Sequence, residues 1–442
     1  MDNFENSNII TEVAFNKNTA KFIPRQEQMR LNSELKNKLI RFVSEMVIEE
    51  NRPASMSQFD SMMNEMHGQR VKDLFKYRRE GNHIVSLLCN SIPPELIYAV
   101  DGFIPVTVCM GGGEVEQYAD ESAKDMCSLS RSMLGFQNSG MCVFFNVSDY
   151  VIGSDLCSCI KKSATIIQKS TTDFETFCTE SNQTDHNNLD VNHLSFRDWI
   201  NKTTQNKGFN RAKLIEYSSL FSEMRAIYME ISNLRKELNP PINGRNSLWI
   251  QQLFLVEEPY KLLSALKTLK EELLQNKSKN IGFNPTNKKK RILLITPRIM
   301  PPFTEIFRLI ENNNAIIVYE ETCMGISNIN YNIDKLIETV DDVNLPIEIS
   351  VKYIMDNIDK TKCSCFKDFD LEKIIQIIKD FNVDAVINYS FNNCPNMIYK
   401  INKIAQLLNE SGTPSMTLQT NYLEIYEKED IILKKINDFL DF

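Results

Sequence analysis

Two rhythms of apolar residues alternate along the chain. In LNSELKNKLIRFVSEMVIEE, Leu35, Leu39, Phe42 and Met46 recur at steps of three and four, the period of one helix face. The pattern predicts an N-terminal helical segment over residues 1–80, with a polar, loosely ordered stretch up to about residue 24 and a second helix from Ser57 to Tyr77. From Gly81 the texture changes to short apolar runs, HIVSLLC, IPVTVC and DYVIGSDLC, with helical stretches such as PPELIYAVDG and KKSATIIQK between and after them. Continuous apolar runs alternating with helices predict parallel strands buried on both faces.

Residues 81–205 therefore read as a first α/β domain, ending in a polar Asn/Thr-rich connector from Thr171. Residues 206–288 read as a helical connector, with Tyr217, Leu220, Met224 and Ile231 on one face, a break at NPPINGRNS and a further helix near Tyr260 to Leu274. Residues 289–442 repeat the strand–helix rhythm in RILLITP, AIIVYEETC, VDAVINYSFNNC and PSMTLQTNY, and close on the amphipathic EDIILKKINDFLDF. The fold class is α/β: two parallel-sheet halves joined by helices.

Charge narrows the choice of partners. The formal net charge is −8, which disfavours a nucleic-acid surface, since phosphate binding needs clustered Lys and Arg. The one basic run, Lys288 to Arg291, reads as a solvated linker. No apolar run approaches the ~20 residues a membrane helix needs, and MDNFENSNII has no apolar signal core. A cytoplasmic chain with reduced thiols is the expectation.

That leaves 11 cysteines to explain. Cys89, Cys109, Cys157, Cys323 and Cys394 each close a predicted strand, and in open parallel sheets that edge forms the ligand crevice. Cys127, Cys142, Cys363 and Cys365 fall in loops able to reach the same cleft, Cys159 goes with Cys157, and Cys178 has no such context. A single buried thiol is usually a core filler, and Cys89 and Cys109 read that way. Structural zinc favours CxxC pairs and histidine. CSC occurs twice but CxxC never, and His67, His83, His186 and His193 avoid the cysteines. An iron–sulfur cluster with ligands far apart in sequence remains.

MGGGE at 110–114 lacks the GxGxxG spacing and has no obvious helix start after it, so it reads as a turn allowing close backbone approach. Glu95, Glu114, Glu320 and Glu321 are candidate acid/base groups, each weighed against a solvated or capping role. There is no Ser-His-Asp set, P-loop or HExxH.

The ordered set GNHIVSLLCNSIPPELIYAVDGFIPVTVCMGGG, CSLSRSMLG, CVFFNVSDYVIGSDLCSCIKK, NPPINGRNSLW, VYEETCMG, KCSCF and VDAVINYSFNNC resembles the 2-hydroxyacyl-CoA dehydratase family over about residues 68–442. That family includes the benzoyl-CoA reductases and the double-cubane cluster reductases. The resemblance implies two flavodoxin-like domains with an iron–sulfur cluster between them and an ATP-hydrolysing activator that donates low-potential electrons. In the dehydratase branch it implies a [4Fe–4S] cluster on three cysteines, here Cys127, Cys157 and Cys394, with one iron open to substrate. In the double-cubane branch it implies an [8Fe–9S] core on six cysteines, adding Cys142, Cys323 and Cys363, with Cys365 as a substitute. The extra cysteines favour the second branch: a reductase acting on a small molecule or an acyl-CoA, as a homodimer. The first branch implies a heterodimer with a paralogue. A cluster-free accessory protein is the third reading, because Ser128, Val143 and Ser158 replace the family's Pro, Pro and Asp beside the ligand positions.

Overall fold

Strands buried on both faces need covering on both sides, and helices from the intervening sequence supply that cover. The computed structural model describes residues 23–89, 92–108, 111–154, 157–170, the backbone of 175–178, and 209–322, 324 and 369–441. Cys109, Cys323, Cys363 and Cys365, residues 1–22 and most of the polar connector after Thr171 lie outside the described residues.

The first sheet contains β1 (His83–Leu87), β2 (Phe103–Thr107), β3 (Tyr150–Gly153) and β4 (Glu175–Cys178), in the order β2-β1-β3-β4. The second contains β5 (Lys290–Ile295), β6 (Ala315–Glu321), β7 (Ala385–Phe391) and β8 (Ser415–Thr420), in the order β6-β5-β7-β8. Every pairing is parallel. The same flavodoxin-like order is thus built twice, and in each sheet it reverses at the corresponding place, between β1 and β3 and between β5 and β7. β6 and β7 are buried at every position, as their unbroken apolar runs require.

The N-terminal helix Arg25–Val47 buries Leu31, Leu35, Phe42 and Met46, the predicted stripe. The second predicted helix is two, Met56–Glu65 and Gln69–Arg79. The chain breaks at Gly68, a residue that costs about 1 kcal/mol in a helix interior.

The connector holds the helices Arg211–Asn233, Gly244–Val256 and Pro259–Ser278. The middle one is buried all round, so its sequence carries no amphipathic period. Its start is nevertheless marked: the Asn243 side chain accepts from the Asn246 backbone N–H.

Two expectations need correction. The basic run is not a solvated linker throughout: Lys290 and Arg291 open β5, and the buried Arg291 guanidinium donates to the carbonyls of Phe381, Glu237 and Arg235. Convergent backbone oxygens satisfy its donors in place of water. Nor are Glu95 and Glu320 solvated or capping. Both are fully buried and ion-paired, Glu95 with Arg225 and Glu320 with Arg235. Glu320 also accepts from the Ser247 hydroxyl at 2.6 Å, tying β6 to the central buried helix. Glu114 pairs with Lys38 of the N-terminal helix.

Candidate iron–sulfur site

The cysteines share a position more specific than a strand end. Cys127 is the N-cap of helix Ser128–Ser139, Cys142 of Val143–Val147, and Cys394 of Pro395–Glu410, while Cys157 immediately precedes Ser158–Ser170. The free N–H groups and positive dipole end of a helix favour the thiolate over the thiol. Cys157 follows β3 and Cys394 follows β7, the equivalent strands of the two sheets, each beside the point where strand order reverses. The two carboxyl edges therefore present a thiol from corresponding turns.

These thiols meet. The Cys127 thiol is close enough to those of Cys159 and Cys394, and Cys159 to Cys157, for each to shift the other's titration, and the Cys127 thiol donates to the Ser130 hydroxyl at 3.6 Å. The Cys127 backbone N–H and the Ser158 side chain also donate to the Cys159 sulfur. Hydrogen bonding from Cys127 and then Cys157 pulls Cys159 far below the usual thiol range, while the bonds to Cys159 and Cys394, with burial, push Cys127 up. All four are buried, and every cysteine whose side chain is described is free of disulfide bonding.

Cys142 stands differently. It is buried, burial pushes its thiol up to about 11, and its hydrogen bonds come from the Phe145 and Phe144 amides rather than from other cysteines. Cys89 lies two residues beyond β1 and is half-buried. The expected ligands Cys323 and Cys363, and the substitute Cys365, lie outside the described residues.

Among the described residues, no three His, Cys, Asp or Glu side chains form a ready chelate for a single metal ion. A mononuclear centre needs donors aimed at one point. A cubane asks for one thiolate at each of several irons, and convergent buried thiols at helix starts match that donor chemistry.

The walls come from both halves. The Arg298 guanidinium, in the turn after β5, donates to the Val108 carbonyl at the end of β2 over 2.6 Å. The Gly111 amide approaches the Pro301 carbonyl at 3.5 Å, and the Gly112 amide donates to Ser132 in the Cys127 helix at 2.6 Å. A Cβ on Gly111 would lie 2.6 Å from the Tyr422 hydroxyl, so the glycine cluster does allow close approach, here to a side chain. A three-residue 3-10 helix, Glu116–Tyr118, follows two residues beyond Glu114.

Two residues emerge that sequence reasoning did not single out. Tyr422 follows β8, packs on Phe303 and Phe391, and keeps its hydroxyl buried without a hydrogen-bond partner among the described residues. Glu116 accepts from the Ser128 side chain and lies 3.5 Å from Arg131; burial outweighs both and raises its carboxyl to about 7. Ser128, where the family's proline is replaced, thus gains a donor that a proline lacks. No local signal marks either residue, since each owes its setting to the distant chain packed on it.

Comparison with known proteins gives this arrangement its context. The chain is 22% identical over 382 residues to a protein of Escherichia coli (strain K12) described as "Putative dehydratase subunit YjiM", covering 84% of this chain and 93% of that one. Residues 89–442 match the family described as 2-hydroxyglutaryl-CoA dehydratase, D-component. With most of its length matched, from the end of β1 to the last residue, the chain belongs to the 2-hydroxyglutaryl-CoA dehydratase D-component family.

Proposed function

We propose that this chain is an iron–sulfur subunit of a dehydratase-type enzyme, holding a [4Fe–4S] cluster on Cys127, Cys157 and Cys394. The observation that carries the reading is the meeting of buried thiols from both α/β units at helix starts. When bound, the cluster supplies a strongly reducing electron that eases removal of an unacidic hydrogen or reduction of a stable double bond.

The chain's residues set the conditions for that chemistry. The helix N-termini favour the ligating thiolate at Cys127, Cys157 and Cys394, against the neighbouring thiols and the burial that raise the Cys127 thiol in the absence of a bound metal. The apolar walls, including Phe303, Phe391 and the ring of Tyr422, exclude water. Glu116, titrating near neutrality and hydrogen-bonded to Ser128, holds a proton on its carboxylate beside the Cys127 helix. An ATP-hydrolysing activator is the proposed electron source, an acyl-CoA the proposed substrate class, and a paralogous subunit the proposed partner. No helix among the described residues is long and apolar enough to cross a membrane.

The double-cubane reading, a reductase with an [8Fe–9S] core, draws on Cys142, which is 2% exposed and starts the helix next after that of Cys127. Iron and sulfide analysis of anaerobically purified protein, with electron paramagnetic resonance of the reduced form, separates the readings. About four irons per chain supports the single cubane and about eight the double one. A colourless, iron-free protein after reconstitution overturns both and leaves the accessory-protein reading.

A further inference from the structure

We propose that the Tyr422 hydroxyl donates a hydrogen bond to a sulfur of the bound cluster and so sets the potential at which this chain accepts its electron. The inference rests on the site reading above and deepens it, by naming a residue outside the cysteines that tunes the site.

Tyr422 stands two residues beyond β8, at the carboxyl edge of the second sheet, beside the strand β7 that leads to Cys394. Its ring centre is 4.5 Å from that of Phe391, the last residue of β7, and 4.3 Å from that of Phe303. Two aromatic neighbours fix the ring and aim its polar tip. That tip reaches the first unit: a Cβ on Gly111 would lie 2.6 Å from the hydroxyl. The next amide, of Gly112, donates to Ser132 in the helix that Cys127 caps. Leu423 presses on the same glycines, its amide 3.0 Å from where a Cβ on Gly113 would stand. The phenol therefore ends between the segment leading to Cys394 and the one packed on the Cys127 helix.

Packing explains the ring but not the oxygen. Tyr422 is 1% exposed, and its hydroxyl has no hydrogen-bond partner among the described residues. Tyr389, equally deep in β7, shows the ordinary solution: its hydroxyl lies 2.8 Å from that of Thr420. Buried polar groups are normally paired, and a phenylalanine would fill the slot between Phe303 and Phe391 without an orphaned oxygen. The tyrosine thus points to an acceptor that arrives with the cluster. Burial, then the charges of Glu116, Tyr389 and Cys127, keep the proton on the phenol, which suits it to donate. Thiolates and sulfides accept hydrogen bonds and donate none. A neutral donor beside them stabilises the more negative, reduced state and raises the potential. The electron comes from the proposed activator; the phenol keeps its proton, and no bond to iron forms or breaks.

The test is a redox titration of Tyr422→Phe beside wild type, both reconstituted anaerobically with iron and sulfide and followed by electron paramagnetic resonance. Equal iron is expected in the two. At a fixed poise the ratio of reduced to oxidised cluster should fall about tenfold in the variant, a midpoint lower by about 59 mV for a one-electron couple. In cluster-free protein the hydroxyl has no partner, so the substitution should lower the melting temperature only once the cluster is bound. A merely structural ring moves neither quantity. Equal iron with an unchanged or higher midpoint overturns the inference and leaves the proposed function standing. If the variant takes up no iron, 3-fluorotyrosine placed at position 422 alone decides: fluorine coupling to the spin of the reduced cluster supports the contact, and its absence overturns it. Wild type that takes up no iron overturns the inference and the proposed function together.

Discussion

The Cys394 thiol, on the C-terminal sheet unit, lies close enough to the Cys127 thiol, on the N-terminal one, to raise its titration. Neither unit holds both residues, so the site exists only while the two sheet edges are held together. The Arg298–Val108 bond and the Tyr422–Gly111 approach are part of that clamp.

Gly135 sits against backbone in the helix that follows Cys127. A Cβ there would lie 1.9 Å from the Val115 carbonyl oxygen, which is backbone and cannot swing aside. Gly135→Ala should cost about 3 kcal/mol, the upper end for overpacking. It should also reduce iron uptake, because relief requires the helix to move away from the segment carrying Glu116. Denaturant unfolding of the variant, with iron quantification alongside, checks both effects.

The Arg235–Glu320 pair is fully buried. Removing one partner strands the other charge in the interior, so Arg235→Ala should lower stability by about 3–5 kcal/mol. A shift in urea midpoint worth less than about 1 kcal/mol would show that water reaches Glu320 after all.

Glu116 gives stability a pH dependence of known sign. Its folded pKa is raised, from 4.5 to about 7, because burial disfavours the charge. The folded state therefore holds the proton more tightly than the unfolded one, and stability from this group falls as pH rises from about 4.5 to 7. At about 1.4 kcal/mol per unit the loss is at most about 3.5 kcal/mol. Glu116→Gln should flatten that slope; unfolding curves measured across the window, wild type against variant, decide it.

Tyr422 offers the opposite test. Its hydroxyl is buried and unpartnered among the described residues, so Tyr422→Phe removes a desolvation penalty and no hydrogen bond. Stability should hold or rise, by up to about 1–3 kcal/mol. A melting temperature that falls by several degrees would reveal a partner for the hydroxyl.

Much of the fold was legible in the chain because parallel strands buried on both faces must be apolar at every position. AIIVYEE and AVINYSF need no partner to be recognised as such. The N-terminal stripe from Leu35 to Met46 was legible for a related reason, since one buried face imposes one period. The helix Gly244–Val256 escaped because burial on all sides erases that period, leaving only the Asn243 cap as a sign. Arg291 misled because a basic side chain looks solvated until the carbonyls of Glu237 and Phe381, far away in sequence, close around it. The cysteines were half legible. Their place at strand ends could be read, but the shared feature, a helix start, and the contacts of Cys159 depend on how the two units face each other. Tyr422 and Glu116 gave no local sign at all.

The central claim is that thiols from both sheet units grip one inorganic core, and iron retention in variants from opposite units tests it most directly. Cys127→Ala and Cys394→Ala, each confirmed folded by circular dichroism, should be reconstituted anaerobically beside wild type and their iron counted. The account predicts about four irons per chain in wild type and a marked loss, with an altered paramagnetic spectrum, in each variant alone. Full iron and an unchanged spectrum in either variant would contradict it.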